Sequence, residues 1–265
     1  MKIGCISDSF RLGFEDGIRA AAKVGVTGVQ KYMTYGDFTA ANMTPERVRE
    51  VRSFMESQNL IFSAICGDFG KNLDEDDIVD LSKRVLDKAK ELGCGIVTTH
   101  IGHIDMSESS ARMEKTKENA YKLAAYADSI GSVFACETGT EKAEQLRMFL
   151  DQLGAKGLRV NLDPANLVMV AHDDPVQAVY TLKDYIVHTH AKDGIVTTEN
   201  AHGWLEVPLG KGGVDWDNYL RALQDIGFDG YLTIEREVGE QPAADIGMAV
   251  GFLKEKLNAL SIPLN

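Results

Sequence analysis

Four stretches in the second half of the chain each end in a side chain able to hold a hard cation. They are Phe134-Ala135-Cys136-Glu137, Val160-Asn161-Leu162-Asp163, Val187-His188-Thr189-His190 and Leu232-Thr233-Ile234-Glu235. Each stretch is β-rich, and residues two apart on a strand share a face. The acids and the imidazole therefore belong at strand ends, where core packing gives them no role. Any one of them alone reads as a helix cap or a lysine partner. Together, three carboxylates would repel one another, and some would have to hold protons at neutral pH unless a cation joined them. Three carboxylates and one imidazole suit a single divalent ion, Mn²⁺ first, with Mg²⁺, Co²⁺ or Zn²⁺ also accommodated.

The elements that must position these groups recur along the whole chain. β-Rich runs are predicted at 2–7, 28–33, 61–67, 96–102, 133–139, 158–164, 186–193 and 230–237. Amphipathic helical patterns lie between them. One opens at Thr44-Pro45-Glu46, a capping residue followed by proline at the first helical position, with Val48, Val51, Phe54 and Met55 at helical spacing. Another covers 76–92 and stops at Gly93. The phrases Lys23-Val24-Gly25-Val26, Glu91-Leu92-Gly93-Cys94 and Asp225-Ile226-Gly227-Phe228 each end a helix with glycine and feed the next strand. Eight such alternations in 265 residues fit a (β/α)8 TIM barrel of α/β class, typically about 250 residues long. No linker, low-complexity tract or charge block interrupts the chain, so 1–265 is expected to be one domain, with the active site at the C-terminal strand ends. A doubly wound open sheet would want a glycine-rich loop after the first strand, and Ser7-Asp8-Ser9-Phe10 is not one.

The run Asn161-Leu162-Asp163-Pro164-Ala165-Asn166, the run His188-Thr189-His190-Ala191-Lys192-Asp193, and the segment from Leu209-Gly210-Lys211-Gly212-Gly213 to Thr233-Ile234-Glu235-Arg236-Glu237 resemble the xylose isomerase-like barrel superfamily. That group holds sugar-phosphate isomerases and epimerases, ketose 3-epimerases, inosose dehydratases and endonuclease IV. The resemblance implies a metal held by Glu137, Asp163, His190 and Glu235. The histidine directly before x-Lys-Asp is the family's ligand, hence His190 and not His188. It further implies an open-chain sugar, sugar phosphate or keto-polyol substrate and a metal-stabilised enediolate, with Glu137 and Glu235 as the acid/base pair. Proton return to the same carbon gives epimerisation, and return to its neighbour gives isomerisation. Loss of a β-hydroxyl gives the lyase chemistry of an inosose dehydratase, the alternative within the enzyme class. Family members often associate, so a homo-oligomer is expected.

Further residues are candidate substrate contacts: His100, Asn166, His188, Lys192 and Trp204. His100 has inward parity at the end of the fourth strand and reads as a substrate donor or as a rim histidine. His188 either touches substrate or fills the layer beneath the metal. Asn166 orients substrate or serves the turn backbone, and Lys192 neutralises a phosphate, enolate or carboxylate or is a surface lysine. Asp193 is expected to brace His190, and Glu141 to open the next helix. The ligands are spaced 26, 27 and then 45 positions apart, which leaves an insertion at 194–214. With Trp204 and several glycines, that insertion reads as a lid or wall over the substrate, as a phosphate cradle, or as a plain surface connection.

Charge and cysteine usage exclude other classes. With 28 Lys and Arg against 40 Asp and Glu, the net charge is −12, which disfavours nucleic acid and anionic membranes as partners. An endonuclease IV-like repair enzyme would also want further His and Asp ligands. It uses His three positions after the aspartate, where this chain has Asn166. A barrel that binds metal or sugar without catalysis would not need both glutamates. No run approaches the roughly 18 apolar residues of a membrane span, and no leader is expected. Cys5, Cys66, Cys94 and Cys136 lie far apart and read as buried thiols of a reducing compartment, the cytoplasm.

Overall fold

The computed structural model describes residues 1–107 and 110–265. Among the described residues ten strands form: β1 (Lys2–Ile6), β2 (Gly28–Tyr32), β3 (Ile61–Cys66), β4 (Ile96–Thr99), β5 (Val133–Glu137), β6 (Leu158–Leu162), β7 (Ile186–Ala191), β8 (Asp193–Val196), β9 (Trp204–Val207) and β10 (Tyr231–Ile234). Eight of them close a barrel in the order β1-β10-β7-β6-β5-β4-β3-β2, and all its neighbouring pairs are parallel. Strands β8 and β9 stand apart as an antiparallel hairpin.

Parallel strands are covered on both faces, so their sequences run apolar without strict alternation. In β3, Ile-Phe-Ser-Ala-Ile-Cys is buried from its second residue to its last. The covering layer is α1 (Phe14–Val24), α2 (Pro45–Ser57), α3 (Ile78–Glu91), α4 (Ala111–Ser129), α5 (Ala143–Leu153), the single turn α6 (Pro164–Asn166), α7 (Pro175–Thr181), α8 (Trp216–Asp225) and α9 (Pro242–Ala259). Local sequence sets their limits. Thr44 caps α2 by accepting from the Arg47 amide at 3.2 Å, and Pro45 occupies the first turn, where its missing N–H is not needed. Gly25 (φ 81°) and Gly93 (φ 86°) take the left-handed conformation that ends α1 and α3. None of the described helices is long and apolar enough to cross a membrane.

All eight expected strands form, and each stops one to three residues earlier than its apolar run suggests. The reason is visible at β6. Asp163 leaves the ladder to accept from the amides of Ala165 and Asn166 at 2.8 and 2.9 Å, and Pro164 follows as the first helical residue. The strand end is traded for a capped turn, and that turn lies at the candidate site.

Candidate metal centre

Glu137 closes β5, Asp163 follows β6, His190 is the last residue but one of β7 and Glu235 follows β10. The barrel order makes these four strand ends neighbours, and one ligand-capable atom from each lies within 4.8 Å of all the others. All four residues are buried. The hub is His190 Nδ1, with Glu137 Oε1 at 3.3 Å, Asp163 Oδ2 at 3.3 Å and Glu235 Oε2 at 3.1 Å.

A polar layer beneath fixes these groups. His190 Nε2 lies 3.1 Å from Gln30 Oε1. Gln30 is in turn oriented by donating its amide to Thr98 Oγ1 at 3.2 Å. The Gln30 carbonyl can only accept and the Asn161 amide nitrogen, also 3.1 Å from Nε2, can only donate, so Gln30 matches a proton on Nε2 and Asn161 a lone pair there. Asn161 donates to Glu137 Oε2 at 3.2 Å, and its carbonyl lies 2.8 Å from His188 Nδ1. His188 Nε2 meets Thr233 Oγ1 at 2.8 Å.

This arrangement fits a cation. With the proton on Nε2, four acceptors converge with no donor of their own at the centre. Were Nδ1 protonated instead, its one N–H could serve only one of three oxygens. Glu235 Oε2 is buried and makes no aligned hydrogen bond, although Lys192 Nζ stands 3.3 Å away. The electrostatics agree. Burial opposes charge on both glutamates, yet His100 and His190 hold Glu137 below the usual carboxylate range. Lys192 and His190 do the same for Glu235. Burial also opposes the charge on His190, but Glu137 and Glu235 drive its pKa well above the usual imidazole range. A set of groups this strongly coupled is a site that can hold a metal ion, and the three oxygens and one nitrogen are hard donors.

The other expected contacts fall at different depths. His100 lies at the mouth, with Nδ1 2.8 Å from Asp68 Oδ2 and Nε2 3.5 Å from Glu137 Oε1. The Glu137 charge is the main reason that its pKa rises to about 10. Asn166 donates to the Thr138 carbonyl at 3.1 Å and to Glu137 Oε1 at 3.4 Å. His188 is 1% exposed, with both ring nitrogens engaged in the lower layer, and burial holds it neutral. Lys192 bridges Glu235 and Glu237. Trp204 lies on β9, two residues before the buried Glu206, and its ring packs 5.8 Å from that of His202. The Asp193 carboxylate binds five donors of the chain that follows it, Gly194, Gly210, Gly212, Val214 and the Trp216 indole, in place of the expected brace on His190. Glu141 lies just before α5, whose cap is Lys142, and burial raises its carboxyl to about 7.

Sequence reasoning missed the first-half residues of the site. Gln30 and Thr98 give no chemical signal of their own, and Asn161 stood inside a quoted motif without a role. Asp8, Tyr32 and Tyr35 form one wall of a cleft of about 220 Å³ that Glu235 also lines, and Lys31 pairs with Asp8 behind that wall.

The comparisons with known proteins converge on the same architecture. A family model described as xylose isomerase-like TIM barrel matches residues 18–256. A xylose isomerase domain protein from Planctomyces limnophilus is 25% identical, with a TM-score of 0.85 and 98% of each chain covered. The probable 3-DHS dehydratase AsbF from Bacillus anthracis is 18% identical, with a TM-score of 0.77 over 96% of this chain and 99% of its own. A D-psicose 3-epimerase crystallised with D-fructose is 18% identical, with a TM-score of 0.75 over 98% and 99%. None of the curated proteins matches the chain by sequence.

Proposed function

The chain belongs to the xylose isomerase-like TIM barrel family, and from that premise we propose that it is a divalent-metal-dependent isomerase or epimerase of a small sugar, sugar phosphate or keto-polyol. The observation that carries this reading is the convergence of Glu137, Asp163, His190 and Glu235 on one point beside an open cleft. These four would hold the ion, Mn²⁺ being the best match to the donor set, with Mg²⁺, Co²⁺ or Zn²⁺ as substitutes. When bound, the ion supplies stabilisation of negative charge developing on two neighbouring substrate oxygens.

The chain's own residues do the rest. Glu137 and Glu235 reach the centre from different strands, so a substrate carbon seated between them has a carboxylate oxygen on either face. One takes the carbon-bound proton and the other returns it. Lys192, 3.3 Å from Glu235 Oε2, keeps that carboxylate ionised and ready to accept. His100, 3.5 Å from Glu137 Oε1, carries a proton that it can pass to Glu137 for return to the carbon, or share with a substrate oxygen. Asn166 holds Glu137 from the loop after β6. Glu206 and Trp204 on β9 place the hairpin along the rim, where the indole can shield the substrate.

The likeness to a dehydratase at a TM-score of 0.77 supports a second reading, a lyase that expels a β-hydroxyl from the same site. The net charge of −12 supports a small-molecule partner over nucleic acid or an anionic membrane. The separated, buried cysteines support a reducing compartment such as the cytoplasm. Association into a homo-oligomer is the family habit. Incubation of the Mn²⁺-loaded protein with ketoses, sugar phosphates and inososes in D₂O, followed by NMR, tests the proposal. Deuterium at one sugar carbon is expected, and a near-ultraviolet enone signal would select the lyase. Unchanged turnover after metal stripping would overturn it.

A further inference from the structure

The neighbouring strand ends of β3, β4 and β5 carry a line of polar groups that runs from the surface to the candidate metal centre. Cys66 pairs with Thr98, and Thr99 with Cys136, in the parallel ladders. The Gly67 amide continues the first ladder to the Thr98 carbonyl at 2.8 Å. Carried on by two residues and by one, these registers set Asp68 beside His100 and His100 beside Glu137. The side chains follow suit. Asp68 Oδ2 lies 2.8 Å from His100 Nδ1, and His100 Nε2 lies 3.5 Å from Glu137 Oε1.

His100 is the loosely packed member of this line. Its side chain is 48% exposed, against 20% for Asp68 and 5% for Glu137, so packing alone does not fix the ring. An unheld imidazole turns broadly about χ2 and interchanges the positions of its two nitrogens. The Asp68 carboxylate removes that freedom, and it is itself held. Its Oδ1 accepts from the Gly70 amide at 2.7 Å, closing a turn in which Gly70 takes φ 68°. Burial opposes the Asp68 charge, yet the bonds from His100 and Gly70 keep its carboxyl below the usual range. An ionised carboxylate only accepts, so the nitrogen facing it carries hydrogen in either charge state of the ring. Nδ1–H is thereby committed to Asp68, and Nε2 is left toward Glu137. Gly139 borders the ring on its Cδ2 edge, where an added Cβ would stand 3.7 Å away.

We propose that Asp68 is a positioning residue for the reaction, holding His100 through Nδ1–H so that Nε2 addresses Glu137 and the substrate. This deepens the function proposed above and rests on it. Asp68 acts only through the ring, as a carboxylate behind a histidine sets its tautomer and direction. Both of its oxygens are engaged, one by Gly70 and one by His100, which makes asparagine a poor replacement. The single oxygen of an amide can stand at one position or the other. If it keeps Gly70, the NH₂ group meets Nδ1 with a donor where an acceptor is needed, and the ring is driven from its place.

The test measures turnover of D-fructose, D-fructose 6-phosphate and scyllo-inosose by Mn²⁺-loaded protein. It compares the parent with Asp68→Asn, Asp68→Ala, His100→Gln and the double variant Asp68→Ala/His100→Gln. On the compound turned over, each Asp68 variant should lower kcat about 10- to 100-fold, the usual loss when the partner behind a working histidine is removed. KM should stay within about threefold. The double variant should match His100→Gln within about twofold, because Asp68 has no task without the ring. Proton NMR of metal-free and Mg²⁺-loaded protein at low temperature gives a readout that needs no substrate. A downfield imidazole N–H signal is expected in the parent and absent from Asp68→Ala and His100→Gln. Parent-like kcat in Asp68→Ala overturns the inference and leaves the isomerase or epimerase reading standing, even if the melting temperature falls, since Asp68 would then only close its turn. A double variant well below His100→Gln overturns it too, as does a parent without the N–H signal. Turnover of none of the three compounds overturns both readings.

Discussion

The two halves of the barrel contribute differently to one site. Strands β5, β6, β7 and β10 deliver the four groups that could hold an ion, whereas β1, β2 and β4 deliver none of them. The first half instead supplies the support under His190, through Gln30 and Thr98, and the far wall of the cleft, through Asp8, Tyr32 and Tyr35. Charge is collected on one side, while alignment and recognition come from the other. Substitutions in the two halves should therefore fail in different ways.

The largest effects belong to the charged half. Glu137→Gln and Glu235→Gln should each lower kcat about 10²- to 10⁴-fold, the range for a lost acid/base group, with the protein still folded by circular dichroism. Full activity in either would dissolve the contrast. Next comes Glu141, buried in the loop after β5, with its carboxyl raised from 4.5 to about 7. The folded state holds this proton longer than the unfolded chain does. Stability should therefore be highest below about pH 4.5, fall as pH climbs to about 7, and level off above, by on the order of 3 kcal/mol from this group. Glu141→Gln should flatten that part of the curve, as read from urea midpoints at constant salt. A profile identical to the parent would show that Glu141 does not titrate there.

The supporting half should show itself as affinity, not as chemistry. Gln30→Leu keeps the volume but removes the acceptor for His190 Nε2–H. Mn²⁺ affinity by calorimetry should fall about 10- to 100-fold, as for outer partners of metal-bound histidines, while kcat at saturating Mn²⁺ falls far less. A large loss of kcat at saturation would move Gln30 into the reacting layer. The smallest effect belongs to Tyr35→Phe, which removes one hydroxyl from the cleft wall: KM for the substrate should rise about 3- to 10-fold with kcat within about twofold, and an unchanged KM would remove Tyr35 from the substrate site.

The same division governs how much could be read from the residues alone. The barrel was legible because β-branched runs and glycine-ended helices repeat along the chain. The charged half was legible because glutamate, aspartate and histidine at the ends of apolar runs are out of place there. Gln30, Thr98 and Asn161 are polar groups inside strands, and only closure of the sheet shows what they face. The Asp8–Lys31 pair joins the turn after β1 to β2 across 23 positions, and ordinary acids and lysines at such spacings are everywhere. The hairpin β8–β9 read as irregular chain, since Asp193, Gly194 and Gly203 weaken any strand pattern. Asp193 itself looked like a partner of His190 because it is near in sequence, yet five donors from the following segment claim it.

That claim shapes how molecules reach the interior. A single carboxylate, 1% exposed, ties the two feet of the crossing together, Gly194 on one side and the stretch from Gly210 to Trp216 on the other. Any hinge at those feet would first have to break these bonds, so whatever freedom the crossing has belongs to the hairpin between them.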